Sequence, residues 1–486
     1  MKLESLDFQF KDFFIEIFND NIYLVGGTIR DFLIYKEIGV NRDIDLLVVG
    51  HSYRQIEEKL KPFGKTNTVG KSFAVVKFSK DGRCFDISVP RKDFIRDRAS
   101  YSHKNFVIEF GPHISLEDDL QRRDFTCNSI ALRLIDGKVV DPFDGIRAIE
   151  KKKIFMTYPD TFFDDPLRIL RCARFASVHR FGIEEKIYKN AKGVTLSELS
   201  KERVVEELFR LFLESERPSI GLQAYFELTI LEKLFPPLYA LTLTIQDAVF
   251  HPETDQFGHH TVWAHTVYAV DVAKKLSEIY NLSGEETLAL LLATLLHDVG
   301  KAVATRWEWK RGRMTVTSQL HDSQGEKIAD EMLTNLGIET RNQFPLRRVV
   351  LNLIRNHHRL FDLYRNRDEI GFRAVSRLVK DLEGYDFLLL LLDFADRMSR
   401  EPEYLDFDGI DELSQWWLDR KEEWNINNDT IQPLIMGRDL IDLGVPPGVE
   451  MGQKLQQMYD LQLDGAFDTR EAGLELFKQL RKENKI

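Results

Sequence analysis

The spacing of hydrophobic positions changes once along the chain. In the first 150 residues, short apolar stretches rich in β-branched and aromatic residues predict strands; they read IYLVGG, DIDLLVVG, FAVVKFS and CFDISV. After Pro159 the apolar positions recur with the 3.6-residue period of helices almost to the end. The clearest predicted helices span 166–175, 202–213 and 220–234. We therefore expect an α+β fold, with a small sheet first and helices after it.

Breaks in this pattern divide the chain into four predicted parts. The polar stretch HPETDQFGHH at 251–260 contains Gly and Pro and predicts the entrance to a new unit. A helical, His-rich region follows it to about residue 400, and a polar connection containing tryptophan then leads to a last helical unit. The expected domains are 1–150, 151–240, 250–400 and 401–486.

Composition narrows the class of protein. Of 486 residues, 43% are hydrophobic and 30% charged, which is typical of a globular chain. The net charge of −11 argues against a protein covered with basic residues, so any nucleic acid must bind to local Lys/Arg clusters. Three widely spaced cysteines form no disulfide framework. The longest apolar runs, 288–296 and 387–392, are shorter than the ~20 residues of a membrane span. We expect a cytoplasmic protein that does not contact a membrane.

Two carboxylates mark the start of a predicted strand in NRDIDLLVVG. Asp43 and Asp45 are two residues apart, so on a strand their side chains leave the same face. Such a pair repels unless a divalent cation neutralises it, and Mg²⁺ accepts carboxylate and phosphate oxygens. Two bridging metals can activate an RNA 3′-hydroxyl and stabilise the leaving pyrophosphate. Asp86, in the alternating stretch CFDISV, is the predicted third carboxylate.

The phosphate side of such a site is predicted in LVGGTIRD. Gly26 and Gly27 let the backbone approach a triphosphate closely, and Arg30 can pair with its oxygens. Each motif alone has a simpler interpretation, a tight turn or a solvated strand end. Their occurrence within one strand–helix–strand stretch favours nucleotidyl transfer.

The order of five motifs resembles the bacterial-type (class II) CCA-adding tRNA nucleotidyltransferases and their poly(A) polymerase relatives. The motifs are GGTIRD, DIDLLVVG, LEDDLQRRDFTCNSIAL, DPFDGI and DDPLRILRCARFA. The resemblance implies a nucleotidyltransferase head, then a helical neck, body and tail. It also implies that Gly27, Arg30, Asp43 and Asp45 hold the triphosphate and Mg²⁺. The residues implied to contact the incoming nucleotide are Arg122, Arg123, Asp124 and Asn128. Ser129 and Asp164 depart from the usual Ala and Glu without changing the chemistry.

In the family, DDPLRILRCARF reads the base. Cytosine and adenine both present an amino donor beside a ring-nitrogen acceptor, so an acceptor at Asp165 and a donor at Arg168 would accept both and reject U and G. Arg171 and Arg174 follow on the same helix and are assigned to the nucleotide site with them. The alternative is an Asp165 N-cap before Pro166 and a solvated arginine stripe. Glu202 and Arg203, in the next neck motif, are expected to brace this helix.

The His-rich region contains a second candidate site. His265, the pair His297–Asp298 and Asp396 follow the order of the HD phosphohydrolase superfamily, in which these four residues hold a divalent metal. Mixed imidazole and carboxylate ligands suit Ni²⁺, Co²⁺, Mn²⁺, Fe²⁺ or Zn²⁺. His321, His357 and His358 fall where members with two metals place further ligands. The resemblance implies phosphatase and 2′,3′-cyclic phosphodiesterase action on tRNA ends; a purely structural metal domain is the alternative.

The sequence therefore predicts an enzyme that adds C, C and A to tRNA from CTP and ATP. Alternatives are a relative that adds only A, only CC or poly(A), and an HD hydrolase or sensor whose head only binds nucleotide. Two basic clusters are candidates for RNA contact. The first contains Arg306, Lys310, Arg311 and Arg313, interleaved with Trp307 and Trp309, and the second contains Arg347, Arg348, Arg355 and Arg359.

Overall fold

The computed structural model describes residues 10–36, 44–69, 75–95, 106–310, 312–401, 403–424, 426, 433–467, 469–483 and 486. The chain divides into two compact units, Met1–Leu211 with Ile220–Leu234, and Phe212–Ser219 with Phe235–Ile486. The first unit contains a sheet and the second is almost wholly helical, so the predicted α+β class is confirmed. All three cysteines are free thiols, as predicted.

The first unit alternates strands and helices before becoming helical. Its elements are α1 Lys11–Phe18, β1 Ile22–Val25, α2 Gly26–Tyr35, β2 Ile44–Val48, α3 Tyr53–Leu60, β3 Lys65–Val69, β4 Val75–Lys80, β5 Arg83–Ser88, β6 Arg91–Ile95, β7 Phe106–Phe110, α4 Leu116–Gln121, β8 Ala131–Arg133, β9 Val139–Val140, α5 Gly145–Glu150, β10 Lys153–Ile154, α6 Pro159–Phe162, α7 Leu167–His179, β11 Gly182–Ile183, α8 Glu185–Ala191, α9 Lys201–Glu214, α10 Pro218–Glu227 and α11 Ile230–Leu234.

Seven strands form the sheet of the head in the order β3-β4-β5-β2-β1-β8-β9, and only the β2–β5 pair is parallel. Side-chain alternation gives the sheet two different faces. Ile44, Leu46 and Val48 of β2 enter one core with α1 and α3, while Leu47 packs on the opposite face with Leu120. Asp45 therefore leaves β2 on the side away from the larger core.

One predicted helix of the neck is two helices. The segment 220–234 was expected to be continuous, but α10 ends at Glu227 and α11 begins at Ile230. Thr229 between them has a φ of 59°, in the left-handed region that cannot continue a right-handed helix. Its apolar spacing continues across this break, so periodicity alone could not reveal it.

The second unit is built from helices and one hairpin. Its elements are α12 Pro236–Leu241, α13 Val262–Ile279, α14 Gly284–Leu296, α15 Lys301–Ala304, β12 Arg306–Lys310, β13 Arg313–Thr317, α16 His321–Leu336, α17 Leu346–Asn356, α18 Arg359–Arg365, α19 Phe372–Asp381, α20 Asp386–Met398, α21 Glu412–Glu423, α22 Gly437–Asp442, α23 Val449–Leu463 and α24 Arg470–Lys482. The β12–β13 hairpin corrects the prediction of helices throughout this region. Its alternating polar and aromatic residues have period two rather than 3.6.

Helix α14 lies at the centre of this unit, against α13, α17 and α20. Ser283 and Glu286 form a capping box that starts it, and every residue from Thr287 to Leu296 is buried. The stretch Gly284–Ala304 is long and apolar enough to cross a membrane by length and composition, but most of it is buried inside the unit. Burial on all sides is what a central core helix requires. The tail has a smaller core of its own around Met458 and Phe477.

Candidate active sites

Two carboxylates stand side by side on the sheet of the head. Asp45 of β2 and Asp86 of β5 are direct partners in the parallel register. Phe85 and Ile87 enter the larger core, so Asp86 leaves the sheet on the same side as Asp45. Burial, opposed by Arg123 and reinforced by Asp86, raises the pKa of Asp45 to about 6. A nearby cation would stabilise the charged form of a carboxylate in this position. The predicted partner Asp43 lies outside the described residues.

The glycine pair begins α2 directly beside these carboxylates. Gly26 has a φ of +65°, and a Cβ there would lie 3.2 Å from Asp45 Oδ2 and 3.1 Å from Arg123 Nη1. A Cβ on Gly27 would lie 3.7 Å from Asp45 Oδ2. Because these glycines have no Cβ, a carboxylate and a guanidinium lie directly against the backbone, which is the approach that a phosphate also requires.

Asp119 holds the two arginines of the RRDFT motif. It lies in α4, is fully buried, and accepts hydrogen bonds from Arg122 Nη2 at 2.6 Å and Arg123 Nη2 at 2.9 Å. Burial would raise the pKa of Asp119, but these two guanidinium groups lower it to about 2. Sequence reasoning missed Asp119, although its spacing of three and four residues from the arginines is that of neighbours on a helix.

A chain of polar contacts joins the head to the neck. Arg30 donates to the Asn128 side-chain oxygen at 2.7 Å, and the Asn128 amide donates to Asp124 at 2.8 Å. Asp124 in turn accepts from Arg171 Nε at 2.7 Å. Burial opposes the charge of Asp124, yet Arg171 and Asn128 keep its pKa far below the ordinary value. Arg174, also on α7, is buried against Glu207 at 2.7 Å, so it is not part of a solvated stripe.

Asp165 and Arg168 lie at the start of α7, as predicted. The Asp165 carboxylate accepts from the Leu167 backbone N–H at 3.2 Å and from Arg203, so the capping alternative describes a real contact. Arg168 donates to the backbone carbonyl of Arg122 at 2.6 Å. The expected bracing by Arg203 is therefore present as an ion pair with Asp165. Both side chains remain partly exposed.

The four residues of the HD pattern meet in the second unit. His265 Nε2 lies 2.9 Å from Asp396 Oδ1 and 3.8 Å from Asp298 Oδ2. His297 Nε2 lies 3.3 Å from Asp298 Oδ2. His265 lies in α13, Asp396 lies in α20, and His297 and Asp298 directly follow α14; all four residues are buried. The ligand atoms of His265, His297 and Asp396 lie within 4.8 Å of one another.

The far side of each imidazole is fixed by an acceptor. His297 Nδ1 lies 2.7 Å from the Thr294 carbonyl oxygen, and His357 Nδ1 lies 2.6 Å from that of Ile354. His265 Nδ1 lies 2.9 Å from the Glu253 carboxylate, which also contacts His251 at 3.0 Å. Because carbonyl and carboxylate oxygens only accept, Nδ1 carries the proton and the Nε2 lone pair faces inward.

The inward-facing atoms fit a divalent cation. Within the described residues, Nε2 of His265, His297 and His357 makes no well-aligned hydrogen bond, although all three atoms are buried. Such groups are costly unless a ligand completes them. Burial lowers the pKa of His357, reinforced by His358 and His297, which keeps this imidazole neutral. His321, His357 and His358 form a second group within 4.8 Å, and His321 Nε2 lies 3.3 Å from Asp298.

Comparisons with known proteins match the parts of the chain that contain these two candidate sites. The Poly A polymerase head domain model matches residues 22–155, the probable RNA and SrmB-binding site of polymerase A matches 182–241, and the HD domain model matches 262–401. The multifunctional CCA protein of Stenotrophomonas maltophilia strain K279a is 34% identical over 349 residues, which cover 70% of this chain and 77% of that protein. This chain belongs to the multifunctional CCA protein family. The relative from Xanthomonas campestris strain B100 is 30% identical over 372 residues, covering 75% and 80%.

Solved structures show the same fold as this family member. A CCA-adding enzyme in apo form II has a TM-score of 0.61 at 20% identity, covering 97% of this chain and 96% of that chain. The Bacillus stearothermophilus CCA-adding enzyme in complex with CTP has a TM-score of 0.59 at 19% identity, covering 95% and 94%. The predicted family is thereby confirmed. Its head and HD domains imply dependence on divalent metal ions.

The structure of this multifunctional CCA protein family member also contains site residues that sequence reasoning missed. Glu253 and His251 were interpreted as part of a polar break, yet Glu253 contacts both His265 of α13 and His251. Lys301 lies 2.7 Å from Asp298, and Arg400 lies 2.6 Å from Asp396. Only the i+3 and i+4 spacing of these cations was available as a signal.

Glu253→Gln should weaken metal binding to the HD domain of this family member about 10- to 100-fold, because an amide orients His265 less well and lowers its basicity. Calorimetric titration of the metal-free full chain with Mn²⁺ measures this. Glu331→Gln, an exposed position on α16, is the control and should bind like the wild type. Equal affinities of all three proteins would mean that Glu253 does not orient the ligand.

Proposed function

We propose that this protein adds C, C and A to the 3′ end of tRNA, using CTP and ATP and no template. The observation that carries the proposal is the parallel register of Asp45 and Asp86 beside the backbone of Gly26 and Gly27, which has no Cβ to bar a phosphate. Membership of the multifunctional CCA protein family supports it. A CCA-adding enzyme from Thermotoga maritima, with a TM-score of 0.53, is described as complexed with tRNA.

In the proposed head, Asp43, Asp45 and Asp86 hold Mg²⁺. Bound there, the ion neutralises the triphosphate and favours displacement of pyrophosphate. Gly26 and Gly27 admit the triphosphate, and Arg123 is in place to meet its oxygens. Arg30, Arg122, Asp124 and Asn128 orient the nucleotide through the contacts described above. We assign Arg171 and Arg174 to bracing this surface rather than to the base, because Asp124 and Glu207 already bind them.

Selection of the base is proposed for Asp165 and Arg168. The carboxylate accepts from the amino group of cytosine or adenine, and the guanidinium donates to the adjacent ring nitrogen. Uracil and guanine present the opposite order, which would leave buried polar groups unpaired. Arg203 supports this role because its ion pair with Asp165 restrains the carboxylate at the start of α7.

Arg168→Ala should reduce discrimination of CTP over UTP about 10- to 100-fold, the range for losing one good base contact. The ratio of kcat/KM for the two nucleotides on tRNA ending before CCA measures it. Lys189→Ala, an exposed cation of α8, is the matched control and should keep the wild-type ratio. An unchanged ratio in Arg168→Ala would remove the base-reading assignment.

For the HD site we propose hydrolysis of phosphomonoesters and 2′,3′-cyclic phosphates at RNA ends. His265, His297, Asp298 and Asp396 would hold one transition metal among Ni²⁺, Co²⁺, Mn²⁺, Fe²⁺ and Zn²⁺, and His321, His357 and His358 a second. A metal so bound supplies a water of lowered pKa. Lys301 and Arg400 bring positive charge to the same place, where an anionic phosphate would bind. We propose that nucleotide addition and hydrolysis both take place in the cytoplasm.

The decisive test of nucleotide addition uses purified enzyme and tRNA ending before CCA. Each nucleotide is supplied alone, and then CTP and ATP together. Addition of C, C and A followed by a stop supports the proposal. Addition of A alone, of CC alone or of a long A tail would contradict it and would identify a restricted relative.

The HD proposal is tested with 2′,3′-cyclic AMP and each of the five metals. Turnover that requires an added metal supports hydrolysis. Metal binding without turnover on this substrate or on a phosphomonoester would contradict it and favour a structural metal domain.

A further inference from the structure

Two exposed tryptophans lie on one face of the β12–β13 hairpin. In the antiparallel register, Trp307 pairs with Val316 and Trp309 with Met314, so the four side chains share a face. Trp307 is 64% exposed and Trp309 is 69% exposed. Neither indole contributes to a core, and exposed aromatic surface of this kind marks a binding site in soluble proteins.

The opposite face fixes the hairpin to the body of the second unit. Thr315 donates to the Asp247 carboxylate at 2.6 Å, and Arg313 lies 3.2 Å from the same group. At the base of the hairpin, Thr305 Oγ1 and Ser318 Oγ are 2.8 Å apart. The aromatic face is therefore held in a defined orientation, turned away from Asp247.

Both ends of the hairpin run directly into the HD site. The strand β12 follows Lys301, which lies 2.7 Å from Asp298. After β13, the Ser318 carbonyl oxygen lies 2.7 Å from His321 Nδ1, and His321 Nε2 faces Asp298 at 3.3 Å. The hairpin is thus connected to the metal-binding residues by a few residues of chain at either end.

The charge of the hairpin is opposite to that of the chain. Residues 306–313 read RWEWKRGR, with four basic residues and one acidic residue, in a protein of net charge −11. Two of these cations are paired with carboxylates, Lys310 with Glu308 at 2.7 Å and Arg313 with Asp247 at 3.2 Å. The arginines of the second basic cluster are paired in the same way; these are Arg347, Arg348, Arg355 and Arg359. Cations alternating with aromatic rings suit a polyanion with flat bases.

We propose that the β12–β13 hairpin binds the unpaired 3′-terminal nucleotides of RNA and presents their phosphate to the HD site. Trp307 and Trp309 stack on bases, which tolerate any sequence because every base has a flat face. The net positive charge of residues 306–313 attracts the backbone phosphates. The proposal rests on the proposed hydrolysis at the HD site, but binding by the hairpin can be measured without it.

The test compares the wild-type full chain with the double variant Trp307→Ala/Trp309→Ala. Binding is followed by fluorescence anisotropy, with a single-stranded RNA pentamer that carries fluorescein at its 5′ end and has an unlabelled 3′ end. EDTA is present, so that neither active site turns over. We expect at least about a tenfold loss of affinity in the double variant, the scale for losing stacked bases. Phe257→Ala removes an equally exposed aromatic outside the hairpin and should bind like the wild type.

Two further measurements distinguish a failure of the hairpin proposal from a failure of the proposed hydrolysis. Hydrolysis of p-nitrophenyl phosphate, which needs no RNA contact, should be equal in the wild type and the double variant, whereas KM for the RNA 2′,3′-cyclic phosphate should rise in the variant. A wild type that hydrolyses neither substrate would contradict the proposed function and leave the anisotropy comparison intact. Unchanged RNA affinity would overturn the hairpin proposal. Unchanged affinity with a dimer-to-monomer change by light scattering would instead identify the face as a contact between copies of this chain.

Discussion

Asp45→Ala should abolish incorporation of labelled CMP and AMP into tRNA. Loss of a metal-ligating carboxylate removes several kcal/mol of transition-state stabilisation, or about 10³-fold in rate. The fold should survive, because burial already disfavours the charged carboxylate and raises the pKa of Asp45 to about 6. Single-turnover incorporation on tRNA ending before CCA measures the rate, and thermal unfolding checks the fold.

The control for this prediction is Asp12→Ala, an exposed carboxylate of α1 in the same unit. It should incorporate both nucleotides at the wild-type rate. Hydrolysis at the HD site should be unaffected in both variants. Persistent incorporation by a folded Asp45→Ala protein would place the chemistry elsewhere in the head.

Asp298→Asn should abolish the phosphohydrolase activity while nucleotide addition continues. The amide has the shape of the carboxylate but lacks its charge, and Asp298 faces His265, His297 and His321 at once. We expect a loss of about 10³-fold in hydrolysis of 2′,3′-cyclic AMP, together with loss of bound metal. Turnover and metal content of the same preparation are the two measurements.

Asp362→Asn, an exposed position on α18, is the matched control. It should keep both the metal and the turnover. A variant Asp298→Asn that still hydrolyses the cyclic nucleotide at the wild-type rate would show that this metal site is not the catalytic one.

The sequence was sufficient to predict contacts governed by short, regular spacing. The alternation of CFDISV predicted Asp86 as a carboxylate beside those of the preceding strand, and motif order predicted the HD residues. The pairing of β2 with β5 in register could not be predicted, because it joins segments about 40 residues apart and depends on the whole sheet. The same reasoning predicted that Asp165 and Arg168 start α7 but not which backbone carbonyl Arg168 would meet.

The misses have different physical origins. Glu253 supports His265 from a segment outside α13, where no spacing rule applies, whereas Asp119 lies at helical spacing from the arginines that it holds. The β12–β13 hairpin was assigned to a helical region because its five-residue strands are short beside the long helices around it. The break at Thr229 depends on one backbone torsion, which hydrophobic periodicity does not record.

The polar contacts of Asp124 affect how α2 and α7 are held relative to each other in the proposed enzyme. One carboxylate fastens α7 through Arg171, and it reaches Arg30 of α2 through the Asn128 amide. In the proposed enzyme, these contacts would hold the helix with Arg30 and the helix with the base-reading residues at a fixed separation, whether or not a nucleotide is bound. An Asp124→Ala protein would lose the contacts of this carboxylate with Arg171 and Asn128, so that α2 and α7 would be free to shift relative to each other.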